Sequence, residues 1–281
     1  MRQVWLKTVS YSDSRVPRDT DNPVILRFSF MGISTNKCYD FLGGLQIVIF
    51  KICYRCVTAN IDQGITMKNI PILLHIPHAS AEIPESIRGQ FIIDDAELSQ
   101  EINLMTDHFT DWLMAPLHLP PAQMTISPVS RLVVDMERFA DDKQEVMSKV
   151  GMGVIYTNGS QKQVIRSQLE DNERAALLSN YYLPHHNDLI DKTHAILEKC
   201  GKVLILDIHS YPSKALPYEL DTGQIRPEIC IGTDEYHTPI TLTTSAENAF
   251  KAKGFTCALN SPFAGTLILA LFGKITKTSW D

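Results

Sequence analysis

The feature that most constrains the fold is the segment from Lys202 to Ser210, which contains four consecutive aliphatic residues, Val203 to Leu206. Such a run predicts a strand buried on both faces, as a central parallel strand between helices is. The strand ends in Asp207 and His209. Open α/β sheets bind their ligands beyond the carboxyl ends of their strands, so we expect functional side chains at this edge.

Shorter apolar runs alternate with helical patterns along the rest of the chain. A first strand is predicted in the apolar run that follows Met67 and ends at Pro77, and further strands at 130–138, 227–234 and 255–260. Helices are predicted from Asp94 or Asp95 to about Pro116, at 161–199 with a break at Pro184, and at 243–253. Strands that alternate with helices predict an α/β fold.

Composition excludes some classes of protein. The net charge of -6 and pI near 5.8 disfavour nucleic-acid binding, which needs a basic face. The apolar stretch 41–57 contains Lys51 and Arg55, which argues against a membrane span. The six cysteines form no framework and no secretory signal precedes them, so a reduced, cytoplasmic setting is expected. A small anionic substrate would need a local arginine. The oligomeric state is left open.

The first 66 residues follow a different pattern from the rest. They mix polar, turn-like stretches with one apolar patch, whereas Met67 leads directly into an apolar run. We expect residues 1–66 to be a poorly ordered or atypical N-terminal extension. Residues 67–281 are expected to form the α/β domain that carries the functional site.

Polar residues at three predicted strand ends favour a metal site. His78, Glu82 and His209 supply two imidazoles and a carboxylate, the usual donor set of a catalytic zinc ion. Alternatively, these are ordinary polar groups of loops and strand ends. Asp207 and Asp135 are predicted to orient the ligand imidazoles, with a turn or cap role open for Asp207. Arg138 either binds a substrate carboxylate or pairs with neighbouring acids.

Six motifs in sequence order resemble the N-formylglutamate amidohydrolase family, also called the N-formylglutamate deformylases. They are Pro77-His78 with Glu82-Ile83-Pro84, Val134-Asp135-Met136-Glu137-Arg138, Tyr181-Tyr182-Leu183-Pro184-His185-His186, Asp207-Ile208-His209-Ser210, Pro227-Glu228-Ile229-Cys230-Ile231-Gly232 and Asn260-Ser261-Pro262-Phe263-Ala264-Gly265. The resemblance implies a fold similar to zinc carboxypeptidases: three layers, with a mixed, mostly parallel sheet between helices. It covers about residues 70–265.

The resemblance also implies an activity, the hydrolysis of N-formyl-L-glutamate to formate and glutamate during histidine degradation. His78, Glu82 and His209 would hold Zn²⁺. Arg138 would anchor the substrate carboxylate, Asn260 would help to bind substrate, and His186 would be a catalytic histidine of the pocket. Glu137 and His185 replace the family's usual Asn and Tyr.

The C-terminal segment departs from the family pattern. Family members continue into a strand bearing a general-base glutamate, whereas residues 266–281 contain none. The domain is therefore expected to be truncated at its C-terminus. Two alternatives follow: a truncated member that binds metal or ligand without turnover, and a deacylase or carboxypeptidase for another N-acyl amino acid or small peptide.

Overall fold

A computed structural model of the 281-residue chain describes residues 2–12, 71–219, 226–233 and 238–264. Most of the predicted N-terminal extension and the whole segment 266–281 lie outside the described residues. None of the described helices is both long and apolar enough to cross a membrane.

The described strands form one sheet. They are β1 (Arg2–Ser12), β2 (Ile72–Ile76), β3 (Met124–Ile126), β4 (Lys202–Pro212), β5 (Ile229–Gly232) and β6 (Cys257–Leu259). Their order is β3-β2-β4-β1-β5-β6. Neighbouring described strands are parallel except β4 and β1, which are antiparallel. The expected mixed, mostly parallel sheet is therefore confirmed.

The apolar run of β4 has the burial that its sequence predicts. Val203, Leu204, Ile205 and Leu206 are all buried, and β4 has a paired neighbour on each side. β2 pairs with it in parallel, which places His75 opposite Asp207. The carboxyl ends of β2 and β4 therefore meet at one edge of the sheet.

Six described helices accompany the sheet. They are α1 (Glu85–Arg88), α2 (Asp95–Met105), α3 (Thr110–Met114), α4 (Asp171–Leu177), α5 (Leu183–Cys200) and α6 (Ile240–Lys251). Asp94 begins α2 with a reciprocal capping box to Glu97. Gly201 ends α5 in the left-handed conformation at φ 67°, which glycine adopts without strain.

Helices cover both faces of the sheet. Leu189 and Ile196 of α5 pack with Leu73 and Ile205 on one face. The other face packs against residues of α3 and α6, and its core contains Leu74, Leu113, Met114, Leu206, Ala246 and Phe250. The expected three-layer α/β architecture is confirmed.

The strand predicted at 130–138 is wrong. These residues form consecutive turns, and the strand beside β2 is the shorter β3. Leu132, Val133 and Val134 are nonetheless fully buried, in a core cluster separate from the two that pack on β2 and β4. The buried Arg166 donates hydrogen bonds to the carbonyl oxygens of Leu132 and Val133, at 2.7 and 3.3 Å. These bonds satisfy backbone groups that a sheet would otherwise satisfy.

Two predicted helices are shorter than expected. The helix predicted from Asp94 to Pro116 is interrupted between α2 and α3, where Phe109 has a φ of 66°. The interruption holds Asp107, whose backbone N–H donates to the His78 carbonyl at 2.9 Å. The helix predicted from residue 161 begins only at Asp171.

Candidate functional site

Three acceptor atoms converge at the carboxyl ends of β2 and β4. His78 follows β2, His209 lies on β4, and Asp107 comes from the loop between α2 and α3. His209 Nδ1 lies 2.9 Å from Asp107 Oδ2, and His78 Nδ1 lies 3.5 Å from the same oxygen. The two Nδ1 atoms are 3.3 Å apart.

The opposite nitrogen of each imidazole faces a buried carboxylate. His78 Nε2 donates to Asp135 Oδ1 at 2.8 Å, and His209 Nε2 donates to Asp207 Oδ1 at 3.0 Å. A neutral imidazole that donates from Nε2 carries a lone pair on Nδ1. Both lone pairs therefore point toward the Asp107 carboxylate, as in the carboxylate–histidine–metal arrangement.

The donor set fits a metal ion. Ligands about 2.0–2.1 Å from a tetrahedral zinc lie about 3.3 Å apart. The observed separations of 2.9, 3.3 and 3.5 Å bracket that value.

Asp135 is the centre of the hydrogen bonding around His78. Arg131 donates to its Oδ2 from Nη2 at 2.7 Å and from Nε at 3.1 Å, and the Tyr156 hydroxyl donates to the same oxygen. Burial alone would raise the pKa of Asp135, but the charge of Arg131 lowers it well below the usual range. Arg131 also lies 3.7 Å from Asp107 Oδ1, so one guanidinium holds both carboxylates.

A second group of potential ligands lies next to the first. It comprises His75, Glu137 and Asp207. His75 Nδ1 is 2.9 Å from Asp207 Oδ1 and 3.8 Å from Glu137 Oε1. His75 Nε2 is 2.8 Å from the Nε2 of His185, at the start of α5.

The sequence-predicted residues are only partly brought together. His78 and His209 meet, and Asp135 and Asp207 contact them as described above. Glu82 has an exposed side chain and is not part of either potential ligand group among the described residues. Asn260 follows β6, three strands from β4 or about 14 Å at the usual strand spacing. Its amide is hydrogen-bonded to Thr233 at 2.8 Å.

Arg138 and His186 both contact Tyr182. Arg138 Nε is 4.0 Å from Asp135 Oδ2, and the Tyr182 hydroxyl donates to the Arg138 carbonyl at 2.9 Å. The ring of Tyr182 lies 4.1 Å from that of His186. Burial lowers the pKa of His186 to about 4, so its ring is neutral near pH 7.

Sequence reasoning missed Asp107, Arg131 and Tyr156. Arg131 lies in the segment at 130–138 that was predicted to be a strand. Asp107 follows helical periodicity that suggested an uninterrupted helix. Thr106-Asp107-His108 falls between the apolar positions Met105 and Phe109, so periodicity gave no signal of the loop.

Comparisons with known proteins agree with the resemblance seen in the sequence. The profile of the N-formylglutamate amidohydrolase family matches residues 70–279. An N-formylglutamate deformylase of Pseudomonas putida is 24% identical over 221 residues, which cover 74% of this chain and 76% of that protein.

A solved structure supports the fold. The crystal structure of N-formylglutamate amidohydrolase from Ralstonia eutropha JMP134 matches with a TM-score of 0.51 and 15% identity, over 74% of this chain and 78% of that one. The family profile spans well over half of the sequence. The chain therefore belongs to the N-formylglutamate amidohydrolase family.

Proposed function

We propose that this chain hydrolyses N-formyl-L-glutamate to formate and L-glutamate, with one Zn²⁺ held by His78, Asp107 and His209. The observation that carries the proposal is the convergence of two Nδ1 lone pairs and a carboxylate oxygen within 2.9–3.5 Å. Three acceptors at this distance repel one another unless protons or a cation lie between them. A zinc ion there would polarise an amide carbonyl and lower the pKa of water to about 7.

Asp107 takes the place that the sequence analysis gave to Glu82. Both residues are carboxylates near His78 in the fold, but only Asp107 is buried against both imidazoles. We assign Glu82 no part in metal binding. Asn260 is likewise left out of the substrate site, because its amide already bonds Thr233.

The protein's own groups fix the two imidazoles before substrate arrives. Asp135 and Asp207 accept from the Nε2 atoms and thereby set the tautomer of each ring. Arg131 holds Asp135 through two hydrogen bonds, which restrict rotation of that carboxylate. The geometry of the imidazoles therefore needs little reorganisation.

Arg138 is proposed to bind a carboxylate of the substrate. Its guanidinium is one-fifth exposed and lies beside Asp135. Burial alone would lower the pKa of Arg138, but the charge of Asp135 helps to raise it, so the group stays cationic. His186, buried against Tyr182, is proposed to form the adjoining wall of the pocket as a neutral imidazole.

A formate-release assay tests the activity. Purified protein is incubated with N-formyl-L-glutamate, and formate is measured with formate dehydrogenase. We expect release that a chelator abolishes and added Zn²⁺ restores. Arg138→Lys should raise KM more than it lowers kcat, because lysine lacks the planar fork that binds a carboxylate in two places. Formate release by the zinc-stripped protein would contradict the proposal.

Binding without turnover is a second candidate function. Residues 266–281 contain no glutamate to act as a general base, and removal of such a base costs on the order of 100- to 10,000-fold in rate. One bound zinc per chain without formate release would favour this alternative. A panel of N-formyl and N-acetyl amino acids would reveal a different acyl substrate, which the replacement residues Glu137 and His185 make worth testing.

A further inference from the structure

Four side chains form a continuous hydrogen-bond network that ends at the candidate metal centre. This inner network consists of His185, His75, Asp207 and His209. His185 Nε2 and His75 Nε2 are 2.8 Å apart, and His75 Nδ1 and Asp207 Oδ1 are 2.9 Å apart. The last contact, from Asp207 Oδ1 to His209 Nε2, is 3.0 Å. Helix α5 and strands β2 and β4 each contribute to it.

The contacts leave one consistent arrangement of protons among neutral rings. An ionised carboxylate oxygen only accepts, so His75 Nδ1–H and His209 Nε2–H both donate to Asp207 Oδ1. His75 Nε2 then carries a lone pair, and His185 Nε2–H must donate to it. Burial keeps the pKa of His185 well below its usual value, which agrees with a neutral ring.

We propose that His75 and His185 are positioning residues that fix the metal ligand His209 through Asp207. The proposal rests on the metal site proposed above. His75 is fully buried and holds the Asp207 oxygen that also accepts from His209. His185 fixes the tautomer of His75 from the opposite side. Without these two rings, Asp207 loses a donor that orients it, and the direction of the His209 Nδ1 is held less firmly.

The second group of potential ligands, His75, Glu137 and Asp207, does not form a metal site in this arrangement. A metal between His75, Glu137 and Asp207 would have to displace the proton that His75 donates to Asp207. Glu137 Oε1 stays 3.8 Å from His75 Nδ1, farther than the spacing of about 3.3 Å around a tetrahedral zinc. The inner network therefore predicts one zinc per chain.

Substitutions chosen by atom position test the proposal. His75→Leu removes the donor to Asp207, whereas His75→Asn places an amide N–H where Nδ1–H was. His185→Leu and His185→Gln form the matching pair for Nε2–H. His194, exposed on the same helix α5, supplies the control His194→Leu. Zn²⁺ affinity is measured by competition with a chromophoric chelator, and the visible spectrum of bound Co²⁺ reports the geometry of the site.

The expected loss of Zn²⁺ affinity is smaller for a residue that lies farther from His209 along the network. Loss of an outer partner of a metal ligand typically costs 10- to 100-fold in metal affinity. We expect His75→Leu to weaken Zn²⁺ binding by about 10-fold or more, and His185→Leu by less. His75→Asn and His185→Gln should recover most of the affinity. The double Leu variant should bind no more weakly than His75→Leu alone, because both act through the same carboxylate.

Three results would overturn the proposal. Wild-type affinity and an unchanged Co²⁺ spectrum in both Leu variants would refute positioning while leaving the proposed metal site intact. A second zinc that His75→Leu abolishes would mean that the inner network binds metal itself. Absence of any zinc binding by the wild type would refute the proposed metal site as well. Urea unfolding of each metal-free variant checks its fold. If His75→Leu does not fold, the comparison of His185→Leu with His185→Gln tests the proposal instead.

Discussion

Asp107 and Glu82 are alternative third ligands beside His78 and His209, and substitution separates them. Asp107 Oδ2 lies 2.9 Å from His209 Nδ1, whereas the Glu82 side chain is exposed. Even an outer partner of a ligand costs 10- to 100-fold in affinity when lost. We therefore expect Asp107→Ala to weaken Zn²⁺ binding at least 100-fold, or about 2.7 kcal/mol, and Glu82→Ala to leave it unchanged.

Zinc-dependent thermal stabilisation turns this difference into a measurable shift. At a zinc concentration about 1,000 times the wild-type Kd, binding stabilises the folded state by about 4.1 kcal/mol. The same concentration is only about 10 times the Kd of Asp107→Ala, which gives about 1.4 kcal/mol. At about 2 °C per kcal/mol for a chain of this size, Tm rises by about 8 °C in the wild type and about 3 °C in the variant.

Each variant is compared with its own metal-free form, so that effects on the fold are removed from the comparison. Glu82→Ala is the matched control, since it deletes a carboxylate from the same neighbourhood without touching the imidazoles. A full zinc shift in Asp107→Ala, with a lost shift in Glu82→Ala, would refute the assignment and favour the ligand set expected from the sequence.

Three further changes test other parts of the site. Tyr156→Phe removes a buried donor to Asp135 and should lower the free energy of unfolding by about 1.5–3 kcal/mol in urea, with an unchanged slope; no loss would contradict that bond. Arg166→Met leaves two buried carbonyls without donors and should lower the free energy of unfolding by about 3 kcal/mol. An unchanged free energy of unfolding would contradict a stabilising role for these hydrogen bonds. The pKa of His186, about 4 when folded, lies below its unfolded value near 6.5, so the unfolded state binds the proton first. The free energy of unfolding should fall by about 3 kcal/mol as the pH drops between these two pKa values, and by less in His186→Gln. An equal pH dependence of stability in the wild type and the variant would refute the lowered pKa of His186.

Local patterns predicted the elements that depend on neighbouring residues. The four aliphatic residues that begin β4 are buried because helices cover both faces of the sheet. The helix predicted to end at residue 199 ends at Cys200, where Gly201 adopts a positive φ. The strands at 229–232 and 257–259 fall within the predicted segments. In each case the sequence pattern that predicts the element lies within a few residues along the chain.

Elements determined by distant contacts were not predictable in this way. The β-branched run at 130–138 is buried, as a strand would be, but its carbonyls are satisfied by Arg166 rather than by a neighbouring strand. A residue more than 30 positions away thus decides between strand and turn. Likewise, the break between α2 and α3 is stabilised by the backbone bond from Asp107 to His78.

The buried charges explain why the metal site depends on the whole fold. Asp107, Asp135 and Asp207 each contact one of the two ligand imidazoles, and Arg131 is the guanidinium that contacts the first two of them. With both imidazoles neutral, the three carboxylates outnumber the one guanidinium and leave a net negative charge. Burial of this charge is energetically costly unless a cation offsets it. The proposed divalent ion between His78, Asp107 and His209 would provide that charge, and without it the imidazoles would have to bind protons. The loop after α2 increases this excess, because it carries Asp107 to the ends of β2 and β4. The sequence identified the imidazoles, but the charge balance that calls for a metal depends on the tertiary structure.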